Sequence, residues 1–337
     1  MKHSTAADPG GTAVTEPDPA VGHAAMDGRR ASWFRGHATA VICLVAVLAV
    51  AVVFAITRLS STPSQPTAVE PVRYLGVYER SVPTSYAGID QFSQTIGKQP
   101  DLAPYYSSWE EPFAAAFAAA AAQHGAAPLV QINPTHVQLT AITAGRYDGY
   151  LRRFADAVRA YRHRVVIGFG HEPNGYWFSW GYSHTTAASF VAAWRHIVNV
   201  FRAQGASNVT WLWTINIIDT KGGIEPPAPW WPGSSYVNWV GIDGYYYKPS
   251  WTFAPLFGPT IKAIRALTRD PILISETAAN DTDQPTKITN LFAGTRAYGL
   301  LGFVWFNVDK EQSWQVTSPA AVAAFRRGVR VYQRPGP

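Results

Sequence analysis

Short apolar runs alternate with helical patterns along most of this chain, and this alternation limits the possible folds more than any other feature. Eight runs are predicted as strands: Tyr74–Tyr78, Leu102–Tyr106, Pro128–Ile132, Val165–Phe169, Val209–Ile215, Val237–Ile242, Ile272–Ser275 and Gly302–Trp305. Helices are predicted between them at Pro112–His124, Tyr147–Tyr161, Thr186–Ala203, Thr260–Leu267, Pro285–Tyr298 and Ala320–Tyr332. The pattern predicts an α/β fold, specifically a (β/α)₈ TIM barrel. An open doubly wound sheet fits less well, because the Gly-rich phosphate turn typical of such sheets is absent from the sequence.

The N-terminal region has a different organisation. Residues 1–37 lack apolar periodicity and are expected to form a disordered cytoplasmic tail. Residues 38–57 are expected to form a single transmembrane helix, because Ala38 to Ile56 contains no charge. Residues 58–71 are expected to form a Pro/Ser/Thr linker, and residues 72–337 the (β/α)₈ domain.

The charges around the apolar segment predict its orientation. Arg29, Arg30 and Arg35 precede it, whereas only Arg58 follows it closely. The positive-inside rule therefore predicts a cell-membrane protein with its N-terminus in the cytoplasm and its barrel outside. A cleaved signal sequence, which would make the domain secreted, and a twin-arginine signal at Arg29 and Arg30 remain alternatives.

Composition excludes several classes of protein. The 337 residues are 47% hydrophobic and 15% charged, which indicates a globular domain with a large core. Cys43 is the only cysteine, so an internal disulfide and a zinc site of several thiolates are excluded. The net charge is +6, and the densest arginines, at positions 152–164, are interpreted as a solvated helix face. No nucleic-acid partner is predicted.

Two glutamates mark the predicted chemistry. Glu172 lies in GFGHEPNGYWFSWG, where an apolar strand ends beside a cluster of aromatic residues, and Glu276 ends the run PILISE. They follow the fourth and seventh predicted strands, so both belong at the C-terminal mouth of the barrel, where barrel enzymes place their active sites. Paired carboxylates flanked by aromatic rings are typical of glycosidases, and a separation of about 5 to 5.5 Å would make the pair retaining.

Other chemistries fit less well. A zinc-binding helix would need a second histidine four residues after His171, where Gly175 stands, and no G-x-S-x-G nucleophile elbow is present. We predict no metal and no cofactor. A non-catalytic, membrane-anchored barrel that binds polysaccharide remains an alternative.

The motifs resemble those of glycoside hydrolase family 26, the β-mannanase group of the clan A barrels. HEPNGYWFSWG is similar to the family's acid/base motif and PILISE to its nucleophile strand. WVGIDGYY at residues 239–246 and GFVWFN at residues 302–307 extend the resemblance in the same order along the chain.

The resemblance implies roles for individual residues. Glu172 would be the acid/base and Glu276 the nucleophile, with His171 beside the acid and Tyr245 donating a hydrogen bond to the nucleophile. Trp305 would lie under the sugar, Trp177 beside it, and Asp243 corresponds to the family's acid two residues before the tyrosine. From their positions we add Trp180 and Asn216 as substrate contacts.

The resemblance implies a retaining β-glycan hydrolase acting by double displacement, most simply an endo-β-1,4-mannanase on a polysaccharide or oligosaccharide. Phe306 follows Trp305 where some mannanases carry arginine, which is a departure from the mannanase pattern. β-1,3-1,4-Glucanase and β-1,3-xylanase activities of the same family therefore remain open.

Overall fold

A computed structural model describes residues 74–218, 223–280, 282–310 and 312–332. Eight parallel strands close into a barrel, each hydrogen-bonded to its neighbours along the chain, and the last strand pairs with the first. The strands are β1 (Tyr74–Tyr78), β2 (Leu102–Ser108), β3 (Ala127–Asn133), β4 (Val165–Phe169), β5 (Val209–Asn216), β6 (Trp239–Asp243), β7 (Ile272–Thr277) and β8 (Gly302–Phe306). The predicted (β/α)₈ barrel is confirmed.

Helices cover the outside of the barrel. Within the described residues they are α1 (Ala87–Ile96), α2 (Ala115–Gln123), α3 (Leu139–Thr143), α4 (Asp148–Tyr161), α5 (Ala187–Ala203), α6 (Phe253–Leu267), α7 (Gln284–Ala297) and α8 (Pro319–Tyr332). Between β5 and β6 the described residues contain only a 3₁₀ turn, Ala228–Trp230.

Three helices differ from the sequence prediction, and one of them is the short helix α3, which was not predicted. Helix α1 was not predicted, although Ile89, Phe92 and Ile96 recur at helical spacing and are buried. Helix α6 begins seven residues before the predicted start at Thr260, and it contains Pro259. Proline usually ends a helical pattern, so the sequence placed the start after Pro259, whereas packing of Phe253 and Phe257 extends the helix across it.

Alternation along the strands fills the barrel with layers of side chains. The lowest layer is apolar and comprises Tyr74, Leu102, Leu129, Val166, Leu212, Trp239, Leu273 and Val304. Above it lies a polar layer in which the Gln131 amide donates to the Thr214 hydroxyl at 3.0 Å. The residues two positions further along the strands reach the mouth of the barrel, because side chains in a strand repeat with a period of two.

Two glycines make room for the polar layer. A Cβ at Gly168 would lie 1.9 Å from the Gln131 Oε1, and one at Gly241 would lie 2.4 Å from the Thr214 and Ser275 hydroxyl oxygens. Any side chain at these positions would displace the groups directly beneath the mouth.

Replacing Gly168 with alanine is expected to lower the free energy of unfolding by about 1 to 3 kcal/mol, because the added methyl group overpacks the barrel interior. Denaturant unfolding followed by fluorescence measures the change. Gly149→Ala is the matched control: Gly149 is exposed in the first turn of α4 with only the Arg153 side chain nearby, so this change should stabilise by up to about 1 kcal/mol. Equal stability of the two variants would contradict the layer packing.

The arginines at positions 152–164 lie on the outer face of α4 and at its exit. Leu151, Phe154 and Val158 of this helix face the core, whereas Arg152 and Arg153 are exposed. This placement agrees with the interpretation of a solvated helix face.

The predicted tail, anchor and linker at residues 1–71 lie outside the described residues, so their boundaries stay predictions. In the part of the chain that the structure describes, none of the helices combines the length and apolarity that crossing a bilayer requires.

Candidate active site

The C-terminal ends of the strands meet at one mouth and bring polar and aromatic side chains together. Asn133 ends β3, Asn216 ends β5 and Asp243 ends β6, each two residues above the polar layer. Tyr78 and Phe306, at the ends of β1 and β8, stack with ring centroids 4.7 Å apart. The mouth is therefore polar on the β3 to β7 side and aromatic where β8 meets β1.

Glu172 lies three residues beyond β4 in a conformation that few glutamates adopt. Its φ is +53°, in the left-handed region that carries a cost of about 1 kcal/mol or more for a residue with a Cβ. The Glu172 N–H donates to the Thr214 carbonyl at 2.9 Å, which ties this turn to β5. The backbone is thus held in a strained form that turns the carboxyl group toward the mouth.

Two donors orient the Glu172 carboxyl group. The Trp177 indole donates to Oε2 at 2.6 Å, and the Asn216 amide donates to Oε1 at 2.8 Å. The Trp177 ring packs so closely over Gly175 that a Cβ there would lie 2.3 Å from it. Because Gly175 has no side chain, the Trp177 indole can pack over it and reach the Glu172 carboxyl group.

Asn174 fixes the position of Asn216 through two hydrogen bonds. Its fully buried side chain accepts from the Asn216 N–H at 2.9 Å and donates to the Asn216 carbonyl at 3.0 Å. Because Asn216 in turn bonds Glu172, Asn174 positions the acid indirectly.

A bulge in β7 places Glu276. Ile242 pairs with Ile274, but the next residue, Asp243, pairs with Glu276, so β7 contains one extra residue at this point. Ser275 and Glu276 consequently both address the barrel interior, although adjacent strand residues normally face opposite sides. The Ser275 hydroxyl donates to Asp243 at 2.5 Å, and Glu276 reaches the mouth above it.

Two tyrosines hold Glu276. The Tyr245 hydroxyl donates to Oε1 and the Tyr106 hydroxyl donates to Oε2. Hydroxyl donors stabilise a carboxylate over a carboxylic acid, and two of them, one on each oxygen, also fix its orientation. Tyr245 is thus where the resemblance implied, and Tyr106 from β2 is a second donor that the sequence did not reveal.

Asp243 and Glu172 are neighbouring acids at the mouth. Both carboxyl groups are buried, and burial raises the pKa of both. The Glu172 charge raises the pKa of Asp243 further, whereas the Asn216 and Trp177 donors lower that of Glu172. Ionisation of one group therefore disfavours ionisation of the other.

Burial raises the pKa of Glu276 to about 7, and the Lys310 ammonium opposes this increase. Lys310 is an exposed residue of the loop after β8, and its charge lowers the pKa of Glu172 as well. The two carboxyl environments differ, because Glu172 interacts with a second buried acid, whereas Glu276 accepts hydrogen bonds from two tyrosine hydroxyl groups.

His171 is buried beside the acids and is neutral. Its Nδ1 lies 3.0 Å from the Asn133 Oδ1, and burial lowers its pKa to about 3. The ring lies between Tyr106 and Phe178, with centroids 5.2 and 4.7 Å away. A neutral imidazole packed in this way does not add a positive charge to the site at any pH near neutrality.

The structure corrects two predicted substrate contacts. Trp305 is fully buried, its ring packs edge-on against Phe325 of α8, and its indole donates to the Trp314 carbonyl at 3.0 Å. Trp180 is 2% exposed and stacks on Phe178. Neither ring has a face open to a sugar. For Trp305 the reason is the alternation of β8, which directs Trp305 outward and Phe306 inward.

Other aromatic rings near the mouth are exposed. Trp177 is 40% exposed and Tyr176 is 56% exposed on the loop after β4. Tyr247, 44% exposed, lies on the loop after β6, with its ring 5.6 Å from that of Trp314. Flat, open rings on both sides of the acids are suited to stacking against the C–H faces of sugars.

Replacing Tyr106 with phenylalanine is expected to shift the acidic limb of the pH profile of kcat/KM upward from about pH 7. Loss of a hydroxyl donor destabilises the ionised form of Glu276, so the pKa of Glu276 increases and more of this carboxyl group is protonated below neutrality. Activity below neutrality should fall by roughly tenfold, with less change at pH 8.5. Tyr105→Phe is the control, because Tyr105 is the neighbouring tyrosine of β2 and faces the outer core. A Tyr106→Phe profile that overlays the parent's would contradict the role of Tyr106.

Sequence reasoning missed Tyr106, Asn174 and Lys310. One feature of the sequence indicates Tyr106, because it ends a predicted strand at a position whose side chain faces into the barrel. No feature of the sequence indicates Lys310, because its distance from the acids depends on the path of the loop after β8. Among the described residues, no group of three or more His, Cys, Asp or Glu is arranged to hold a metal ion.

Comparisons with known proteins agree with this geometry. The profile of Glycosyl hydrolase family 26 matches residues 140–271. Endoglucanase H of Acetivibrio thermocellus is 30% identical over 263 residues, which is 73% of this chain and 29% of that protein. Mannan endo-1,4-beta-mannosidase A and B of Caldalkalibacillus mannanilyticus is 28% identical over 114 residues, 31% of this chain and 21% of that protein. The chain thus spans less than a third of the length of either relative.

Among solved structures, the catalytic domain of the Bacillus sp. JAMB-750 GH26 endo-beta-1,4-mannanase superposes with a TM-score of 0.60 at 16% identity. The match covers 77% of this chain and 85% of that one, and at this identity it shows the shared barrel alone. The endoglucanase match covers 73% of this chain, and the family profile spans the segment that carries Glu172. The chain belongs to glycosyl hydrolase family 26.

Proposed function

We propose that this chain is a retaining β-glycan hydrolase that cleaves its substrate by double displacement. One observation carries the proposal: two carboxyl groups at the same mouth have opposite environments. Burial raises the pKa of Glu172, which favours its protonated form, whereas Glu276 accepts hydrogen bonds from the Tyr106 and Tyr245 hydroxyl groups, which favour its ionised form. Retaining glycosidases require this division between a proton donor and an ionised nucleophile.

In the first step, the Glu276 carboxylate attacks the anomeric carbon and forms a glycosyl ester. The bond from that carbon to the leaving oxygen breaks, and Glu172 transfers its proton to this oxygen. Asn216 and Trp177 favour ionised Glu172, so they assist the loss of this proton. The Tyr245 and Tyr106 hydrogen bonds keep the Glu276 oxygens aligned for the attack.

In the second step, ionised Glu172 accepts a proton from water while the water oxygen attacks the anomeric carbon. The ester bond to Glu276 breaks, and the Glu276 carboxylate is restored with the sugar in its original configuration.

The relative with the longest reported match favours a β-glucan as the substrate. Endoglucanase H matches 73% of this chain, whereas the mannan endo-1,4-beta-mannosidase matches over 114 residues. Phe306 supports this preference, because it places a phenyl ring, stacked on Tyr78, where some mannanases carry a charged side chain. Mannan is the second candidate, favoured by the resemblance of the acid/base motif and by the shorter mannosidase match.

The experiment compares kcat/KM for barley β-glucan, galactomannan and β-1,3-xylan, with reducing sugar as the readout. We expect the highest value for β-glucan. A value for galactomannan at least tenfold higher would assign mannan instead. Binding of a polymer without release of reducing sugar would overturn the hydrolase proposal in favour of a polysaccharide-binding barrel.

We further propose that residues 38–57 anchor the chain in the cell membrane, with residues 1–37 in the cytoplasm and the barrel outside. The uncharged run from Ala38 to Ile56 and the arginines that precede it support this orientation. Protease added to intact cells should remove the barrel and leave the tail protected. Recovery of the whole chain in the soluble fraction would contradict anchoring.

A further inference from the structure

The charges of the barrel are divided between its two ends. In a parallel barrel, the loops and last helical turns that lead into strands lie at the end opposite the mouth. Six basic residues occupy these segments and define what we call the basic face: Lys98, Arg162, Arg164, Arg202, Arg269 and Arg296. All five arginines are exposed.

Acidic groups do not balance the basic face. Asp101 bonds Lys98 at 2.7 Å and also accepts from the Leu75 N–H, and Asp270 accepts from the Thr268 hydroxyl at 2.7 Å. At the mouth the balance is reversed, where acids include Glu110, Glu111, Glu225, Asp283 and Asp309 in addition to the catalytic groups. The described barrel is therefore positive at the end away from its active site.

Helix dipoles explain only part of this pattern. Arg202 and Arg296 lie in the last turns of α5 and α7, where a cation offsets the helix dipole. Arg164 and Arg269 lie in loops beyond helix ends. The Arg164 guanidinium lies 5.2 Å from the Tyr74 ring centroid and 5.7 Å from that of Trp239, which fixes it over the floor of the barrel.

The chain enters the barrel on this same face. Tyr74 begins β1, and Arg164 covers its ring. Residues 58–73 separate Tyr74 from the proposed anchor, and a Pro/Ser/Thr segment of this length extends to at most about 50 Å. The first described residue, Tyr74, therefore lies at the basic end of the barrel.

We propose that the basic face docks on anionic phospholipid headgroups and directs the mouth away from the bilayer. This proposal goes beyond catalysis and depends on the proposed anchor only for the orientation of the tether. An anionic membrane surface attracts arginines within about one Debye length, roughly 8 Å at physiological salt. Each arginine strengthens such an association by about fivefold.

The test uses the full chain with Cys43→Ala, reconstituted in nanodiscs of phosphatidylcholine alone or with 30% phosphatidylglycerol. A donor dye is attached at Ser207→Cys on the basic face or at Thr84→Cys by the mouth, and acceptor dyes are attached to lipid headgroups. We expect phosphatidylglycerol to increase energy transfer from position 207 much more than from position 84, and 500 mM NaCl to reverse the increase.

The combined Arg162→Glu, Arg269→Glu and Arg296→Glu variant should lower the docking equilibrium constant by about a hundredfold or more. The matched control reverses three exposed arginines nearer the mouth, Arg146, Arg152 and Arg153, and should dock as the parent does. Both variants should retain the parent's glycanase activity on soluble substrate, which shows that the barrel is folded and separates this test from that of the proposed function.

Three results would overturn the proposal. The first is equal energy transfer in neutral and anionic discs. The second is unchanged docking in the triple variant of the basic face. The third is release of the barrel by inorganic polyphosphate at the same phosphate concentration as the lipid, which would assign the face to a soluble polyanion. If the chain does not enter nanodiscs, flotation with anionic vesicles at 50 mM NaCl provides the same comparison, and absence of binding there would also overturn it.

Discussion

Replacing Glu276 with alanine is expected to lower kcat on β-glycan by about 10⁴-fold or more, because no covalent intermediate can form without the nucleophile. Added azide should restore part of the activity on an activated aryl β-glycoside, since the shortened side chain leaves room for it beside the anomeric carbon. The single displacement that results inverts the configuration, so the product should be the α-glycosyl azide. Its anomeric configuration is read by proton NMR.

The same substitution should stabilise the fold above neutral pH. Burial raises the pKa of Glu276 to about 7, so the folded state holds this proton more tightly than the unfolded state. The ionised carboxylate therefore destabilises the fold increasingly as the pH rises from about 4.5 to 7, and fully above that range. We expect Glu276→Ala to gain on the order of 2 kcal/mol in unfolding free energy at pH 8 and little at pH 4.

The control for both measurements is Glu110→Gln, which removes an exposed carboxylate from the same mouth. It should retain activity and show no pH-dependent gain in stability. Full activity of Glu276→Ala, or a β-configured azide product from it, would be incompatible with Glu276 as the nucleophile.

Replacing Glu172 with alanine is expected to reduce activity by an amount that depends on the leaving group. On a polysaccharide the leaving sugar oxygen needs a proton, so the loss of the general acid should cost about 10² to 10⁴-fold. On a dinitrophenyl glycoside the leaving group departs unprotonated, so kcat/KM should change by less than about tenfold. The glycosyl-enzyme then accumulates, because its hydrolysis needs the general base.

Azide distinguishes this variant from the first one. It requires no base, so it should release the accumulated intermediate and yield the β-glycosyl azide, with overall retention. Asn216→Ala is a graded comparison, since it removes one donor to Glu172 and leaves the carboxyl group in place. A uniform loss on both substrates, or an α-configured product, would remove Glu172 from the acid/base role.

Much of the fold follows from local patterns in the sequence. Four- to eight-residue apolar runs separated by helical periods specify strands and helices, and the number of strands identifies the barrel. The starts and ends of β1 and β4 were predicted to the residue. Helix α1 and the early start of α6 were missed, because burial against neighbouring elements extends or creates helices where local signals are weak or where Pro259 indicates a break.

The two acids, the histidine and Tyr245 were also accessible from the sequence, because strand ends in a barrel converge on one mouth. The orientation of aromatic rings was not accessible. The resemblance places Trp305 under the sugar. Adjacent residues of β8 face opposite sides of the barrel wall, however, so Trp305 lies in the outer core and Phe306 faces the mouth.

The sequence by itself predicted the barrel, the mouth and the two carboxyl groups that lie there, because these depend on periodicity and chain order. Only the tertiary structure decided how each acid is held. The bulge in β7 that turns both Ser275 and Glu276 inward, the Tyr106 hydroxyl on Glu276 and the burial of Glu172 beside Asp243 all join residues from different strands. The physical reason is that pKa and side-chain orientation depend on distances of a few ångströms between such residues, and one strand's pattern does not contain them.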